Sequence, residues 1–415
     1  MKKIIIISIA ILSVLIVIFF GWYLFLRDTE VPVGETIRNI LPFGSPGNNA
    51  VPTSDQPSVF DNNQEQLFGA DQFGNPSADL FRLAATPVAG AVIFQREEET
   101  VVRYVDRATG HIYDINLPQE TNLITLKKIK VSNNTRPKIY EAHFRSDGNA
   151  VLLRSLKDDS DVIENLSLEL TPPQGTSTET TYSVSSTLLR GDMGAVTVGS
   201  GNNLYYVLKD TSTIVSSEFN SASTRNIIST SFAGWRLASA GNNLIMYTKA
   251  STVAPGFAYR LNPSNGAFTK LLGPLNGLVI IPSPSSDRIL YSYVENNKTK
   301  LVAKNLADKV LSEISLPTLA EKCIWSAQNT GTIYCGVPSQ EISGMEPDNW
   351  YRGATHFSDK IWLFDTDENI AKVLVEPEER LNINIDVLDP QISPNEDYLI
   401  FINKTDLSLW AFRLE

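Results

Sequence analysis

Two cysteines and three histidines in 415 residues are too few for a zinc finger, an iron–sulfur cluster or a multi-histidine metal cage. His111, His143 and His356 lie far apart with no ligand partner at metal spacing, so no metal site is expected. Basic charge is also in deficit. Thirty-five Lys and Arg against 46 Asp and Glu leave a formal charge of -11, which repels phosphate backbones and excludes nucleic acid as an expected partner. The chain has no G-x-S-x-G, no P-loop and no G-x-G-x-x-G, so neither a serine nucleophile elbow nor a nucleotide cofactor is expected, and no catalytic residue is assigned. What remains is 42% apolar and 20% charged, enough to build a core. Helix formers do not dominate it. Ser, Thr, Asn, Gly and β-branched residues crowd the sequence, a mixture that favours strands and turns.

One long hydrophobic run stands apart. Ile4 to Leu26 carries no charge, follows Lys2 and Lys3, and ends with Trp22 and Tyr23 before Arg27 and Asp28. As a helix it would span roughly 34 Å, the thickness of a hydrocarbon core with some tilt. The run is longer than the apolar stretch of a cleavable signal peptide and has a bulky exit, so it is read as an uncleaved signal-anchor in residues 1–27. The two lysines put the N-terminus in the cytoplasm and everything after residue 27 outside. Residues 28–79, rich in Pro, Gly, Asn, Gln and Ser without periodicity, are read as a flexible extracytoplasmic tether.

Residues 80–415 repeat. Gly201-Asn202-Asn203-Leu204 recurs as Gly241-Asn242-Asn243-Leu244, each leading into a short apolar strand, and the two asparagine pairs suit positive-φ turns. Equivalent turn-then-strand signals give strand starts at Val101, Val151, Leu204, Leu244, Ile289, Ile333 and Leu399, mostly 40 to 53 residues apart. Each start is preceded by one apolar run and followed by two more, as in KIWLFDTDEN and IAKVLVE after Ile333. Four strands per repeat and seven repeats predict an all-β, seven-bladed β-propeller. The last repeat stops after LSLWAFRL one strand short. The run ADLFRLAATP from Ala78 has no place in the first repeat, so it is expected to close the ring as an N-terminal strand.

At these motifs the chain resembles the WD40-like and TolB-like propellers, whose repeat reads roughly Ser-Pro-Asp-Gly, a strand, then an apolar run closing on Asp. Ser393-Pro394-Asn395, Ser146-Asp147-Gly148 and Trp362-Leu363-Phe364-Asp365 carry the resemblance, whereas the WD dipeptide and the Gly-His pair of eukaryotic repeats are absent. With the anchor added, the chain resembles membrane-anchored propellers of candidate-phylum bacteria. The resemblance implies a fold and leaves activity open.

Three groups of residues are candidates for function. Between GTIYCGVP and KIWLFD lies an insertion of about twenty residues, of the length that usually serves function. Its Trp350, Tyr351, Arg352 and His356 are of the types that dominate binding hot spots, or they plug the loop onto its own blade. Glu141, Asp386 and Asp389 fall on innermost strands, where paired carboxylates would serve polysaccharide chemistry, although acidic residues at strand ends are also ordinary turn formers. Cys323 and Cys335 flank a hairpin centred on Asn329, which sets them opposite each other and permits a disulfide, with two buried thiols as the alternative. The expected function is a binding or scaffold module at the cell membrane for an envelope protein, peptide or glycan. A hydrolase or lyase acting on polysaccharide with channel carboxylates is the alternative.

Overall fold

Seven four-stranded antiparallel sheets surround one axis in the computed structural model of the chain. The structure describes residues 79–414 apart from 120–125, 158–159, 161, 174–181 and 343. The expected anchor at 4–26 and tether at 28–79 lie almost wholly outside the described residues. Among the described residues no helix is long and apolar enough to cross a membrane.

Each sheet is a blade, and chain order runs outward from the axis. The innermost strands are Val88–Arg96, Ile139–Phe144, Met193–Val198, Trp235–Ala240, Val279–Pro282, Cys323–Trp325 and Val387–Ile392, which begin blades 1 to 7 in that order. The second strand of every blade is the apolar run anticipated from the repeat. In blade 1 it is Glu99–Asp106, with Val101 to Asp106 all buried, and in blade 7 it is Tyr398–Asn403, buried throughout. Burial on both faces is what a strand between two neighbouring sheets requires, so these runs are continuously apolar rather than alternating.

The turn between first and second strand repeats with one device. A residue of positive φ sits there in every blade: Glu97, Gly148, Gly201, Gly241, Ser286, Gly331 and Glu396. In the two Gly-Asn-Asn turns it is the glycine that takes the left-handed conformation, with φ 64° at Gly201 and 54° at Gly241. The asparagines do not, which corrects their expected role. In the Ser-Pro turns the serine hydroxyl organises the loop: the amides of Asp397 and Tyr398 donate to Ser393 Oγ at 3.0 and 2.9 Å.

Side chains tie each blade to the next. Arg103 Nη1 donates to Gly148 O at 2.8 Å from blade 1 to blade 2. Arg145 Nη1 reaches Asn202 Oδ1 at 2.8 Å, Arg225 Nη2 reaches Pro263 O at 2.6 Å and Arg260 Nη2 reaches Ser286 O at 3.0 Å, which carries the chain of links to blade 5. Arg288 grips Asp367 of blade 6, and Glu396 of blade 7 accepts from Ser326 and from the amides of Ala327 and Gln328. Gln391 Nε2 donates to Ala91 O at 2.9 Å and completes the circuit between blades 7 and 1. Where blades 1 and 2 meet, a Cβ on Gly90 would stand 2.1 Å from Ala142 O, so the backbone approach itself requires glycine.

Ring closure follows the expected route. Leu80–Ala84 is the outermost strand of blade 7, antiparallel to Leu409–Arg413, with Leu80 opposite Phe412 and Arg82 opposite Trp410. Phe81 is 1% exposed and meets the Tyr398 ring edge-on at 6.2 Å. In blade 6 Cys323 pairs with Cys335 across the first two strands, with Cα atoms 4.1 Å apart, and the two are joined as a disulfide.

Two predictions arise from this architecture. Deleting residues 78–87 should lower the melting temperature far more than deleting residues 40–60 of the expected tether, and Phe81→Ala alone should cost about 3–5 kcal/mol. Equal melting of the two deletions in calorimetry would show that the N-terminal strand does not hold the ring. Thiol titration of the denatured, non-reduced protein should find no free thiol. Two thiols would mean an open Cys323–Cys335 pair.

Candidate functional site

The ends of the ring differ. Second-to-third-strand loops and the entries into inner strands share one end, here the loop end, while first-to-second-strand turns share the opposite, turn end. The twenty-residue insertion belongs to blade 6 and crosses the loop end. Its short helix Asp348–Tyr351 is fixed to blade 4 through Asp348 Oδ2, which accepts from the amide and hydroxyl of Thr252 at 2.7 and 3.0 Å. Within the insertion, Glu346 accepts from the Trp350 amide at 2.8 Å and from the Thr355 hydroxyl at 2.6 Å.

Trp350 turns inward. It is 1% exposed, and its indole N–H donates to both Asp386 oxygens at 2.9 and 3.0 Å. Asp386 also hydrogen-bonds the Lys322 ammonium, which in turn lies 2.6 Å from Asp359 Oδ2, and all three side chains are fully buried. Lys322 and Lys404 stand on the Trp350 ring at 5.1 and 5.0 Å from its centroid. Burial raises the Asp359 carboxyl to about 6 even with Lys322 beside it. Trp350 is therefore the plug that fastens the insertion and offers nothing to a ligand. Tyr351, Arg352 and His356 remain exposed on the loop end. Tyr351 turns its hydroxyl towards Glu321, and that surrounding holds the phenol well above its ordinary value, through burial first and the neighbouring carboxylate second. Arg352 is engaged within the insertion, with Nη2 on Asn349 Oδ1 at 2.7 Å.

The three expected channel carboxylates divide. Asp386 stands just before the inner strand of blade 7 and is consumed by the Lys322–Trp350 cluster, which removes it from the channel chemistry expected of it. Glu141 and Asp389 share a second environment with His143. Glu141 Oε2 accepts from Arg154 Nη1 at 2.6 Å and lies 3.4 Å from His143 Nε2. Burial alone would raise the Glu141 carboxyl, but His143 close by and the hydrogen bond and charge of Arg154 outweigh it and hold it at about 2. Asp389 moves the other way. The residue is exposed on its strand, yet desolvation by the strands around its carboxyl raises it, with His143 opposing the shift and Glu141 adding to it.

Asp389 and His143 border an axial cavity of about 400 Å³ formed by the inner strands of blades 7, 1, 2 and 3. Ser146 and Gly199, on first-to-second-strand turns, place it towards the turn end, away from the insertion. The sequence reading missed Lys322, Asp359 and His143. For His143 a signal existed, since residues 141 and 143 are two apart on one strand and face the same side. None existed for Lys322 and Asp359, which come together from positions 37 apart.

The described propeller is similar in fold to solved structures. Virginiamycin B lyase from Staphylococcus aureus is 14% identical with a TM-score of 0.48, the match covering 81% of this chain and 99% of that one. TolB from Acinetobacter baumannii is 11% identical with a TM-score of 0.41, covering 78% of this chain and 79% of that one. The β-propeller domain of the Trilobed protease from Pyrococcus furiosus is 11% identical with a TM-score of 0.47, covering 78% and 96%. No protein-family model matches the chain, and no curated protein matches it. At these identities the likeness concerns the fold alone.

Removing one partner of the buried cluster should be costly in a graded way. Lys322→Met leaves two buried carboxylates uncompensated and should destabilise by about 3–5 kcal/mol. Trp350→Phe keeps the ring but loses the bond to a charged acceptor, for about 1.5–3 kcal/mol. Urea unfolding measures both, and a neutral Lys322→Met would show that the cluster carries no weight. Glu141 gives a pH signature. Its folded pKa is depressed, so the stability it contributes is complete above its ordinary 4.5 and is lost as pH falls towards about 2. Glu141→Gln should therefore melt with a shallower acid limb than wild type over that window, and parallel limbs would refute the assignment.

Proposed function

We propose that this chain is a membrane-anchored, extracytoplasmic propeller that binds a protein, peptide or glycan of the cell envelope. The observation that carries the reading is the axial cavity: a concave space of about 400 Å³ lined by Asp389, His143, Gln391 and Ser146 beside apolar residues. Ligand sites have this size. The uncharged run from Ile4 to Leu26 and the Pro-, Gly- and Asn-rich stretch after it support the anchor and the tether.

A second reading, a hydrolase or lyase acting on polysaccharide, is favoured by one observation. Glu141 and Asp389 share an environment that drives their carboxyls in opposite directions, and such separation is how acid and base roles are divided. Against it stands Glu141's ion pair with Arg154, which makes a weak base.

Protease added to spheroplasts should remove a C-terminal epitope while a tag placed before Met1 survives, and a protected C-terminus would overturn the orientation. Full-length protein in detergent should then bind a defined envelope peptide or oligosaccharide without converting it. Turnover that is lost in both Glu141→Gln and Asp389→Asn would favour the enzyme.

A further inference from the structure

We infer that the axial cavity is a saccharide site in which the Asp389 carboxylate accepts a pair of sugar hydroxyls. The inference rests on the binding-module reading and names its ligand class. Its first support is shape. The cavity lining includes the small residues Ala91, Ala142, Thr197 and Gly199, where larger side chains would take up space. The cavity has the dimensions of one or two sugar rings.

The backbone around Asp389 supplies the second support. The inner strand of blade 7 pairs regularly at Leu388↔Ile402 and again at Gln391↔Ile400, so Asp389 and Pro390 oppose the single residue Phe401. That is a β-bulge, a device that re-aims a side chain next to functional sites. Asp389 itself has φ 49°, a left-handed conformation costly for a residue with a Cβ and kept where the surroundings impose it. The result is a carboxylate brought to the cavity wall by a distorted strand. An ordinary strand position would need no distortion.

Chemistry supplies the third. The cavity lining contains neither Lys nor Arg. Asp389 Oδ2 accepts from Gln391 Nε2 at 3.3 Å, and Gln391 spends its better bond on Ala91 O at 2.9 Å. Acceptor positions on the carboxylate therefore remain for a ligand that donates, and vicinal hydroxyls donate in pairs. The lining mixes these polar groups with apolar ones from Val92, Phe144, Val196 and Ile392. A sugar ring matches it, with C–H faces bounded by hydroxyls.

The test is a glycan array followed by titration calorimetry on the full chain in detergent micelles. Asp389→Asn keeps the bulge, because Asn tolerates the left-handed region, and removes the charge. Thr197→Phe fills the cavity, and Arg352→Ala on the loop end serves as control. A saccharide hit should weaken about tenfold or more in Asp389→Asn, the scale of one lost charged hydrogen bond. It should vanish in Thr197→Phe and stay unchanged in Arg352→Ala, while cooperative melting reports that each variant is folded. Saccharide binding unaffected by Asp389→Asn and Thr197→Phe overturns the site. Binding confined to amine-bearing or peptide ligands overturns the ligand class but leaves the binding-module reading standing. No binding by any class of ligand fails both.

Discussion

The antiparallel pairing of Leu80–Ala84 with Leu409–Arg413 is the constraint on which the molecule depends. Blade 7 takes three strands from the C-terminus and one from the N-terminus, so the ring exists only while two segments more than three hundred residues apart stay paired. Every other feature presupposes that ring. The inner strands bound a cavity only because they are held around a common axis, and the insertion of blade 6 meets blade 4 only because the loop end is circular. Local contacts share the load. Arg103, Arg145, Arg225, Arg260 and Arg288 each reach a carbonyl, amide or carboxylate of the following blade. A guanidinium suits this position, since its fixed fork can serve its own blade and the next at once, as Arg103 does with Asp114 and Gly148.

The buried cluster under the insertion solves a different problem. A twenty-residue loop with little secondary structure has no ladder to hold it, and a purely apolar plug would fix it without direction. Lys322, Asp359, Asp386 and Trp350 hold it through hydrogen bonds whose geometry admits one arrangement. Full burial of such a group costs desolvation that the ion pairs only partly return, so its gain is in specificity more than in stability. That trade explains why Trp350 and Asp386, which look functional in the sequence by residue type, are positional in the structure.

Much of the fold is legible in the sequence because it is periodic. The apolar second strands, the turn before each and the missing outer strand of blade 7 are local or repeating signals, and they fix blade number and closure. The register of Cys323 with Cys335 is legible for the same reason, since a hairpin's centre determines its pairs. The site is less legible. Glu141 and Asp389 are recognisable as inner-strand carboxylates, and His143 beside Glu141 is a local signal, yet nothing local separates Asp389 from Asp386, three residues before it. What separates them is the partner each meets: Lys322 and Trp350 from blade 6 for Asp386, the hairpin neighbours Arg154 and His143 for Glu141, and an open cavity wall for Asp389.

The two ends of the axis are thus made by opposite means, and this bears on where recognition resides. At the loop end, an insertion brings exposed Tyr351, Arg352 and His356 on a segment anchored from below. At the turn end, the cavity is built by inner strands, whose positions follow from the ring and whose side chains have little freedom to shift. A surface held by strands is preorganised and loses little entropy on binding, whereas a loop must be held in place by other means. The bulge at Asp389 adds a side chain to the rigid end at a backbone cost that packing of blade 7 against blade 1 sustains through Gln391 and Ala91. The contact that joins blade 7 to blade 1 therefore lies beside the carboxylate, and an alteration that loosens it would reach the cavity before it reached the far blades.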